Sequence, residues 1–132
     1  MSQQVLVVED SSTTRSLIVS TLETIDGIVV TESGNGFEAL KVIPRVKFNL
    51  IITDINMPDI NGLELVSFVK RSPLYRHIPL IIVTTEGHDR DRERGIALGA
   101  DEYLVKPFDP AALQSLVEKH LKVPASGEAA RA

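Results

Sequence analysis

Reactive side chains follow four short apolar runs of the sequence, each at the point where the run ends. They are the side chains of Glu9, Asp10, Asp54, Thr84 and Lys106. Three carboxylates gathered in one crevice would repel one another, so either their pKa values rise or a cation lies among them. Oxygen ligands without nearby His or Cys favour Mg²⁺, which usually binds one or two carboxylates plus a phosphate.

The same set of side chains suits the transfer of a phosphoryl group. A carboxylate can attack phosphorus and hold the group as an aspartyl phosphate, a reaction that depends mainly on positioning and charge stabilisation. The ammonium of Lys106 could stabilise the phosphoryl oxygens, and the hydroxyl of Thr84 could donate a hydrogen bond to one of them. The residue types therefore predict a magnesium-dependent site for phosphoryl chemistry.

Each of these residues also has an ordinary structural explanation when it is taken singly. An Asp after a strand often forms a turn or caps a helix, as Asp10 could do before Ser11. Thr84 could end a strand because of its β-propensity, and Lys106 could be a solvated charge. Independent accidents do not explain why all of them stand at strand ends along one edge, so the functional interpretation is favoured.

The elements that must position these residues are short strands alternating with helices. The predicted strands are residues 4–8, 28–31, 50–53, 80–83 and 102–105. Helix 1 is predicted to begin at a Ser11 or Ser12 cap and to bury an apolar face that includes Leu17 and Ile25. Helix 2 begins near 35–36 and should weaken at Pro44.

Three further helices complete the pattern. Helix 3 is predicted from about Gly62 to Lys70, after a long loop at 55–61. Helix 4 covers the charged stretch 88–94 and the apolar residues that follow. Helix 5 begins at an Asp109 cap with Pro110 in its first position.

Five strand–helix units predict an α/β fold, a five-stranded parallel doubly wound sheet with right-handed crossovers. The flavodoxin-like order 2-1-3-4-5 is the natural choice for five strands, and its ligand site lies between strands 1 and 3. Glu9, Asp10 and Asp54 follow those two strands. At 132 residues and 43% hydrophobic, the chain suits one domain, predicted at 1–123, with a disordered tail at 124–132.

The composition excludes several other classes of function. The absence of cysteine removes thiol catalysis and cysteine-ligated zinc, and a net charge of −4 argues against nonspecific nucleic-acid binding. The N-terminus has no signal-peptide pattern, and no apolar run approaches the roughly 20 residues of a membrane span. We therefore expect a cytoplasmic protein with no membrane and no nucleic-acid partner.

Two other motifs match known binding patterns only superficially. Residues 34–39 fit the dinucleotide pattern G-x-G-x-x-A, with Asp54 following at the expected distance. That turn follows strand 2, an edge strand in the proposed order, so a turn and helix start is the better interpretation. Asp54 and Asn56 could open an EF-hand loop, but Pro58 and Asp59 stand where a ligand and the invariant Gly belong.

Four motifs, in this order, resemble those of a known family. They are Val7-Val8-Glu9-Asp10, residues 52–58 with Asn61-Gly62, Val83-Thr84, and residues 103–108. They are similar to the receiver domain of two-component response regulators, and most of all to stand-alone chemotaxis-type regulators. The resemblance covers about residues 4–122.

The resemblance implies a role for each matching residue. Asp54 would accept a phosphoryl group from the phosphohistidine of a histidine kinase. The carboxylates of Asp10 and Asp54 and the carbonyl of Asn56 would bind Mg²⁺, with Glu9 acting through a bound water. The resemblance further implies the phosphate-sensing roles of Thr84 and Lys106, which would each contact a phosphoryl oxygen.

The resemblance also implies how the signal leaves the site. Tyr103 would turn inward when Thr84 moves, and the bond between Lys106 and Pro107 would be cis. A monomeric protein would meet its downstream target through the face formed by helix 4, strand 5 and helix 5.

The sequence departs from the family pattern at two positions. Glu9 stands where many members carry Asp, and Thr85 stands where a small residue is common, so we expect its branched side chain to narrow access to the phosphoryl group. Asn56 and Glu86 occupy the positions expected to tune dephosphorylation.

Two other functions compete with a signalling switch. A metal-dependent phosphatase would use Asp54 as a transient nucleophile, but such enzymes typically need a second Asp two residues later, where this chain has Asn56. A pure interaction module would carry a degenerate site, whereas every expected side chain is present here.

Overall fold

Strands and helices alternate along the chain in the computed structural model, which describes residues 2–57, 59–85 and 89–121. The elements are β1 Gln3–Val8, α1 Ser12–Leu22, β2 Ile28–Ser33, α2 Gly36–Val42, a 3-10 turn Ile43–Arg45, β3 Leu50–Thr53, α3 Gly62–Arg71, β4 Leu80–Thr84, α4 Asp89–Ala97, β5 Glu102–Val105 and α5 Pro110–Leu121. The predicted tail at 124–132, Glu86 and His88 lie outside the described residues.

The five strands form one parallel sheet in the order β2-β1-β3-β4-β5, which confirms the predicted fold class and strand order. Val8 at the end of β1 lies opposite Thr53 at the end of β3. The amide of Asp54 continues this pairing by donating to the carbonyl of Val8 at 3.1 Å. Glu9 and Asp54 therefore leave the sheet side by side at the switch point between β1 and β3.

Helices cover both faces of the sheet, and the core has two parts. On one face, Leu6 and Val8 pack in the cluster that includes the buried residues of α2 and α3. On the other face, Val5 and Val7 pack with the buried residues of α1 and α5. Because the central strands are buried on both faces, they appear in the sequence as continuous apolar runs.

Several details differ from the prediction. Strand β2 runs two residues further than expected, because Glu32 and Ser33 pair with the last residues of β1. Leu17 is 44% exposed, whereas Ile18 is buried against the sheet. Successive helix positions are turned by about 100°, so Leu17 lies at the edge of the buried stripe. Ile25 is buried, but it follows the end of α1.

The predicted helix starts are confirmed by their side-chain caps. Ser11 accepts from the amide of Thr14 at 3.3 Å, and Asp109 accepts from that of Ala111 at 2.9 Å. Helix α2 gives way to the 3-10 turn that contains Pro44, as expected of a residue that cannot donate a helical hydrogen bond. None of the helices in the described ranges is long and apolar enough to cross a membrane.

Gly62 allows α3 to begin directly against the end of β3. Its amide donates to the carbonyl of Ile55 at 2.8 Å. A Cβ atom at this position would overlap the carbonyl oxygen of Asp54 and would lie 2.7 Å from the Cα of Ile55. Since both obstacles are backbone atoms, only glycine fits here without displacing the strand end that carries Asp54.

Asp59 fastens the loop between β3 and α3 to the start of α2. Its carboxylate accepts from the amides of Gly36 at 3.1 Å and Phe37 at 2.9 Å. Desolvation opposes ionisation of Asp59, but the amides of Phe37, Ile60 and Gly36 outweigh it and lower the pKa of the carboxyl. A negative charge at a helix start is also favourable toward the helix dipole.

We expect Gly62→Ala to reduce the free energy of unfolding by about 3 kcal/mol, because the added methyl overpacks against backbone that cannot rotate away. Urea denaturation of the variant measures this difference. Gly34→Ala is the matched control, since a Cβ at Gly34 would meet only the guanidinium of Arg15 at an ordinary 3.7 Å. Equal losses in the two variants would contradict the packing argument.

We expect Asp59→Ala to lower the urea midpoint at neutral pH because the first amides of α2 lose their charged acceptor. Because the pKa of Asp59 is lower in the folded state than in the unfolded state, its stabilising effect is fully present above the unfolded-state pKa of about 4. It is lost as the pH falls through the folded-state pKa. The gap between wild type and variant should therefore close in acid. Glu118→Ala, at an exposed position of α5, controls for general charge effects; a pH-independent gap would refute the assignment.

Candidate functional site

Three carboxylates converge at the carboxyl edge of the sheet. Glu9, Asp10 and Asp54 each offer one oxygen atom within 4.8 Å of the others. Glu9 and Asp54 are only 1% and 6% exposed, while Asp10 is exposed. The site is therefore anchored by two buried acids and open to solvent on the side of Asp10.

Glu9 is held by contacts to both its side chain and its backbone. One carboxylate oxygen pairs with the ammonium of Lys106 at 2.7 Å, and the other accepts from the amide of Ser11 at 3.1 Å. The guanidinium of Arg15 donates to the carbonyl of Glu9 at 2.6 Å. Burial raises the pKa of Glu9 above its ordinary value, and the hydrogen bond from Lys106 counteracts that increase.

The two oxygens of Asp54 face different partners. Oδ1 accepts from the amide of Ile55 at 2.7 Å and from that of Asn56 at 3.4 Å. Oδ2 lies 3.4 Å from the ammonium of Lys106. The backbone thus fixes the orientation of the carboxylate, and Oδ2 points toward the cationic side of the site.

Lys106 reaches the carboxylates from the end of β5, across β4. It begins a cis peptide bond to Pro107, and its amide donates to the carbonyl of Thr84 at 2.8 Å. Its ammonium is closer to Glu9 than to Asp54. The sequence predicted Lys106 as a phosphate contact and gave no sign of this pairing with Glu9.

The charges at the site do not balance. One ammonium faces three carboxylates, so a divalent cation would relieve the remaining repulsion. The donors are all oxygen atoms, and one of the acids is open to solvent. This donor set fits Mg²⁺, which prefers oxygen ligands and retains several waters.

The other predicted residues lie around this cluster. Thr84 is the last residue of β4, is fully buried and is joined to Lys106 through the backbone. Asn56 is exposed beside Asp54. Tyr103 lies opposite Ile82 in the sheet and packs against the core on the α3 face.

Thr85 lines a shallow pocket together with Lys106. This pocket of about 320 Å³ also includes Leu17, Lys106, Pro107 and Phe108. Approach to Lys106 from this side therefore passes the branched side chain of Thr85.

Two positioning residues were not found by sequence reasoning. Arg15 joins the carbonyl of Glu9 to the carboxylate of Glu32, at 2.6 Å and 3.1 Å. Asp59 ties the loop that carries Asn56 to α2. The only signal for Arg15 was a basic residue one turn into α1, and its partner Glu32 becomes visible only when β2 is seen to continue beside β1.

Comparisons with known proteins agree with this architecture. A family model of the response regulator receiver domain matches residues 5–118. The chain is 40% identical over 128 residues to a chemotaxis protein CheY homolog of Campylobacter jejuni, covering 96% of this chain and 98% of that protein.

Solved structures show the same fold. Chemotaxis response regulator CheY4 of Vibrio cholerae is 34% identical, with a TM-score of 0.82 over 90% of this chain and 98% of its own. The receiver domain of a sensor histidine kinase from Pseudomonas aeruginosa, which has a magnesium ion coordinated in its active site cleft, is 27% identical with a TM-score of 0.83, over 92% of this chain and 99% of its own. The chain belongs to the response regulator receiver domain family, and over almost its whole length it is similar to chemotaxis proteins of the CheY type.

Proposed function

We propose that the protein is a signalling switch that accepts a phosphoryl group on Asp54 from the phosphohistidine of a histidine kinase. Membership of the receiver family supports switching by phosphorylation in general. The observation that carries the assignment to Asp54 is the position of its Oδ2 atom, 3.4 Å from the ammonium of Lys106 at the open edge of the sheet.

The geometry suits an attack by Asp54 on phosphorus. The amide of Ile55 holds Oδ1 at 2.7 Å, so Oδ2 is the oxygen directed toward an incoming group. It would form the new bond to phosphorus while the bond to the kinase histidine breaks and the imidazole keeps the electron pair. The ammonium of Lys106 would stabilise the charge on the transferred oxygens.

Asp10, Asp54 and the carbonyl of Asn56 would hold Mg²⁺, and Glu9 would act through a bound water. When bound, the cation supplies positive charge against the phosphoryl oxygens. Burial of Glu9 and its pairing with Lys106 keep that acid in place on the inner side of the site.

The proposed signal runs from Thr84 to the outer face of α4, β5 and α5. The hydroxyl of Thr84 would bond a phosphoryl oxygen, and Tyr103 would turn inward as Thr84 moves. Ile96 and Val105 leave apolar surface exposed on this face, 46% and 42% respectively, where a target protein could dock. Shifting a two-state equilibrium from 1:99 to 99:1 requires about 5.5 kcal/mol of differential stabilisation.

Incubation with Mg²⁺ and acetyl phosphate should add the mass of one phosphoryl group to the protein, because Asp54 can take the group from a small donor. Intact mass spectrometry measures the addition. Asp54→Ala should remain unmodified, while Asp26→Ala, at an exposed turn, should be modified like wild type. An unchanged wild-type mass would refute the proposal, and many turnovers on a phosphomonoester would instead support the phosphatase alternative.

Asp10→Asn should raise the Kd for Mg²⁺ about tenfold or more, roughly 1.4 kcal/mol, because it removes a charged oxygen ligand from the solvent side. Isothermal titration calorimetry measures the affinity. Asp10 is exposed, so the fold should be retained. Glu118→Gln is the control, and its Kd should match that of wild type.

Removal of a positive charge from the site should have the opposite effect on Mg²⁺ binding. Lys106→Met removes the cation that competes with Mg²⁺ for Glu9 and Asp54, so it should tighten Mg²⁺ binding while slowing phosphorylation. Weaker Mg²⁺ binding in this variant would show that the ammonium is not a competitor.

A further inference from the structure

A pocket lies at the amino edge of the sheet, at the opposite end from the carboxylates. The segments that lead into β3 and β4 form its walls, and it encloses about 430 Å³. This volume falls within the range of roughly 300–1,000 Å³ that is typical of ligand pockets. The proposed phosphorylation switch uses no residue of this pocket.

The pocket has an apolar floor and one strongly exposed apolar wall. Ile43, Phe48 and Ile78 form the floor and belong to the buried core. Leu74 on the wall is 70% exposed, more than any other large apolar residue in the described ranges. The ring of Tyr75, which also lines the pocket, is stacked on that of Phe68 with 6.0 Å between centroids. A preformed site with this lining gains stability when an apolar group covers it.

The chain segments that form the pocket are rich in basic residues, although the chain as a whole is acidic. Residues 39–49 and 65–79 contain six of the 14 Lys and Arg residues and no Asp or Glu, whereas the net charge is −4. Lys70 pairs with Asp101 at 3.0 Å, so its charge is compensated. Lys47 and His77 line the pocket, and the ion pairs found within the described ranges involve neither of them.

We propose that this pocket binds an acidic peptide segment of a partner protein, which inserts one large apolar side chain over Phe48 and beside Leu74. Carboxylates flanking that side chain would face Lys47 and His77. Charge complementarity of this kind selects the partner and steers its approach. A concave pocket suits an inserted side chain better than a bilayer surface, and the net charge of −4 disfavours nucleic acid.

The position of the pocket gives it a distinct role. A partner held at the amino edge would leave Asp10 and Asp54 accessible at the carboxyl edge. The protein could then be tethered to that partner while it exchanges phosphoryl groups. Binding at the pocket should therefore not require Asp54, which separates this proposal from the proposed switch.

A short synthetic peptide with one central Trp flanked by Glu residues tests the proposal on the intact protein. The protein contains no Trp, so the emission of the peptide can be followed directly and should shift to the blue as the indole is buried. Amide resonances of Phe48, Leu74 and Tyr75 should shift in heteronuclear spectra, and the affinity should fall as salt is added. Asp54→Ala should bind the peptide with the wild-type Kd.

Two variants of the protein remove the proposed contacts. Leu74→Ser and Lys47→Glu should each raise the Kd about tenfold or more, equivalent to about 1.4 kcal/mol. Val29→Ser, at another exposed apolar position, and Arg90→Glu, at an exposed position on α4, are the matched controls and should leave the Kd unchanged. A peptide with Lys in place of Glu should bind wild type poorly and Lys47→Glu better.

Several results would overturn the proposal. They are the absence of a blue shift with wild type, equal binding of the Lys-flanked peptide to wild type, and an unchanged Kd in both pocket variants. Resonance shifts confined to the carboxylate edge would also contradict it. Binding of duplex DNA or anionic vesicles in place of the peptide would assign the basic surface to another class of partner.

Discussion

The ion pair between Lys106 and Glu9 is the interaction on which the arrangement of the site depends. Two acids are buried almost completely beside each other, and burial without a counter-charge would be costly. Lys106 supplies that charge at 2.7 Å from Glu9 and at 3.4 Å from Asp54. A single ammonium cannot neutralise three carboxylates, so the protein retains an unbalanced negative charge at an open edge. The same imbalance makes the site chemically suited to a small divalent cation.

Much of this architecture could be predicted from the sequence because burial on both faces of a parallel sheet produces continuous apolar runs. The caps at Ser11 and Asp109 could also be predicted, because each satisfies backbone amides that lie close to it in the sequence. Hydrogen-bond partners that are distant in the sequence could not be predicted. The carboxylate of Asp59 accepts from the first amides of α2, and the guanidinium of Arg15 donates to Glu32. Both pairings join residues that are distant in the sequence, so no local pattern predicts them. Leu17 is exposed because it lies at the edge of the buried stripe of α1, a position that the apolar pattern alone did not predict.

The acidic cluster and the pocket at opposite ends of the sheet differ in chemical character. The carboxyl ends of β1 and β3 lead into acids, whereas the segments entering β3 and β4 carry basic and apolar residues. Parallel strands make this segregation possible because all their carboxyl ends lie along one edge. The acidic cluster and the basic pocket are thus separated by the length of the strands.

The loop between β3 and α3 is held at its base by Gly62 and near its tip by Asp59. Most surface loops tolerate extra residues at little cost, because closing a longer loop adds only a small entropic term. This loop is different, since both attachments fix the number of residues between them. An insertion after Asn56 would have to bulge outward between these attachments, or it would displace Gly62 from the end of β3 or Asp59 from α2. Its length is therefore more constrained than that of a loop attached only at its two ends.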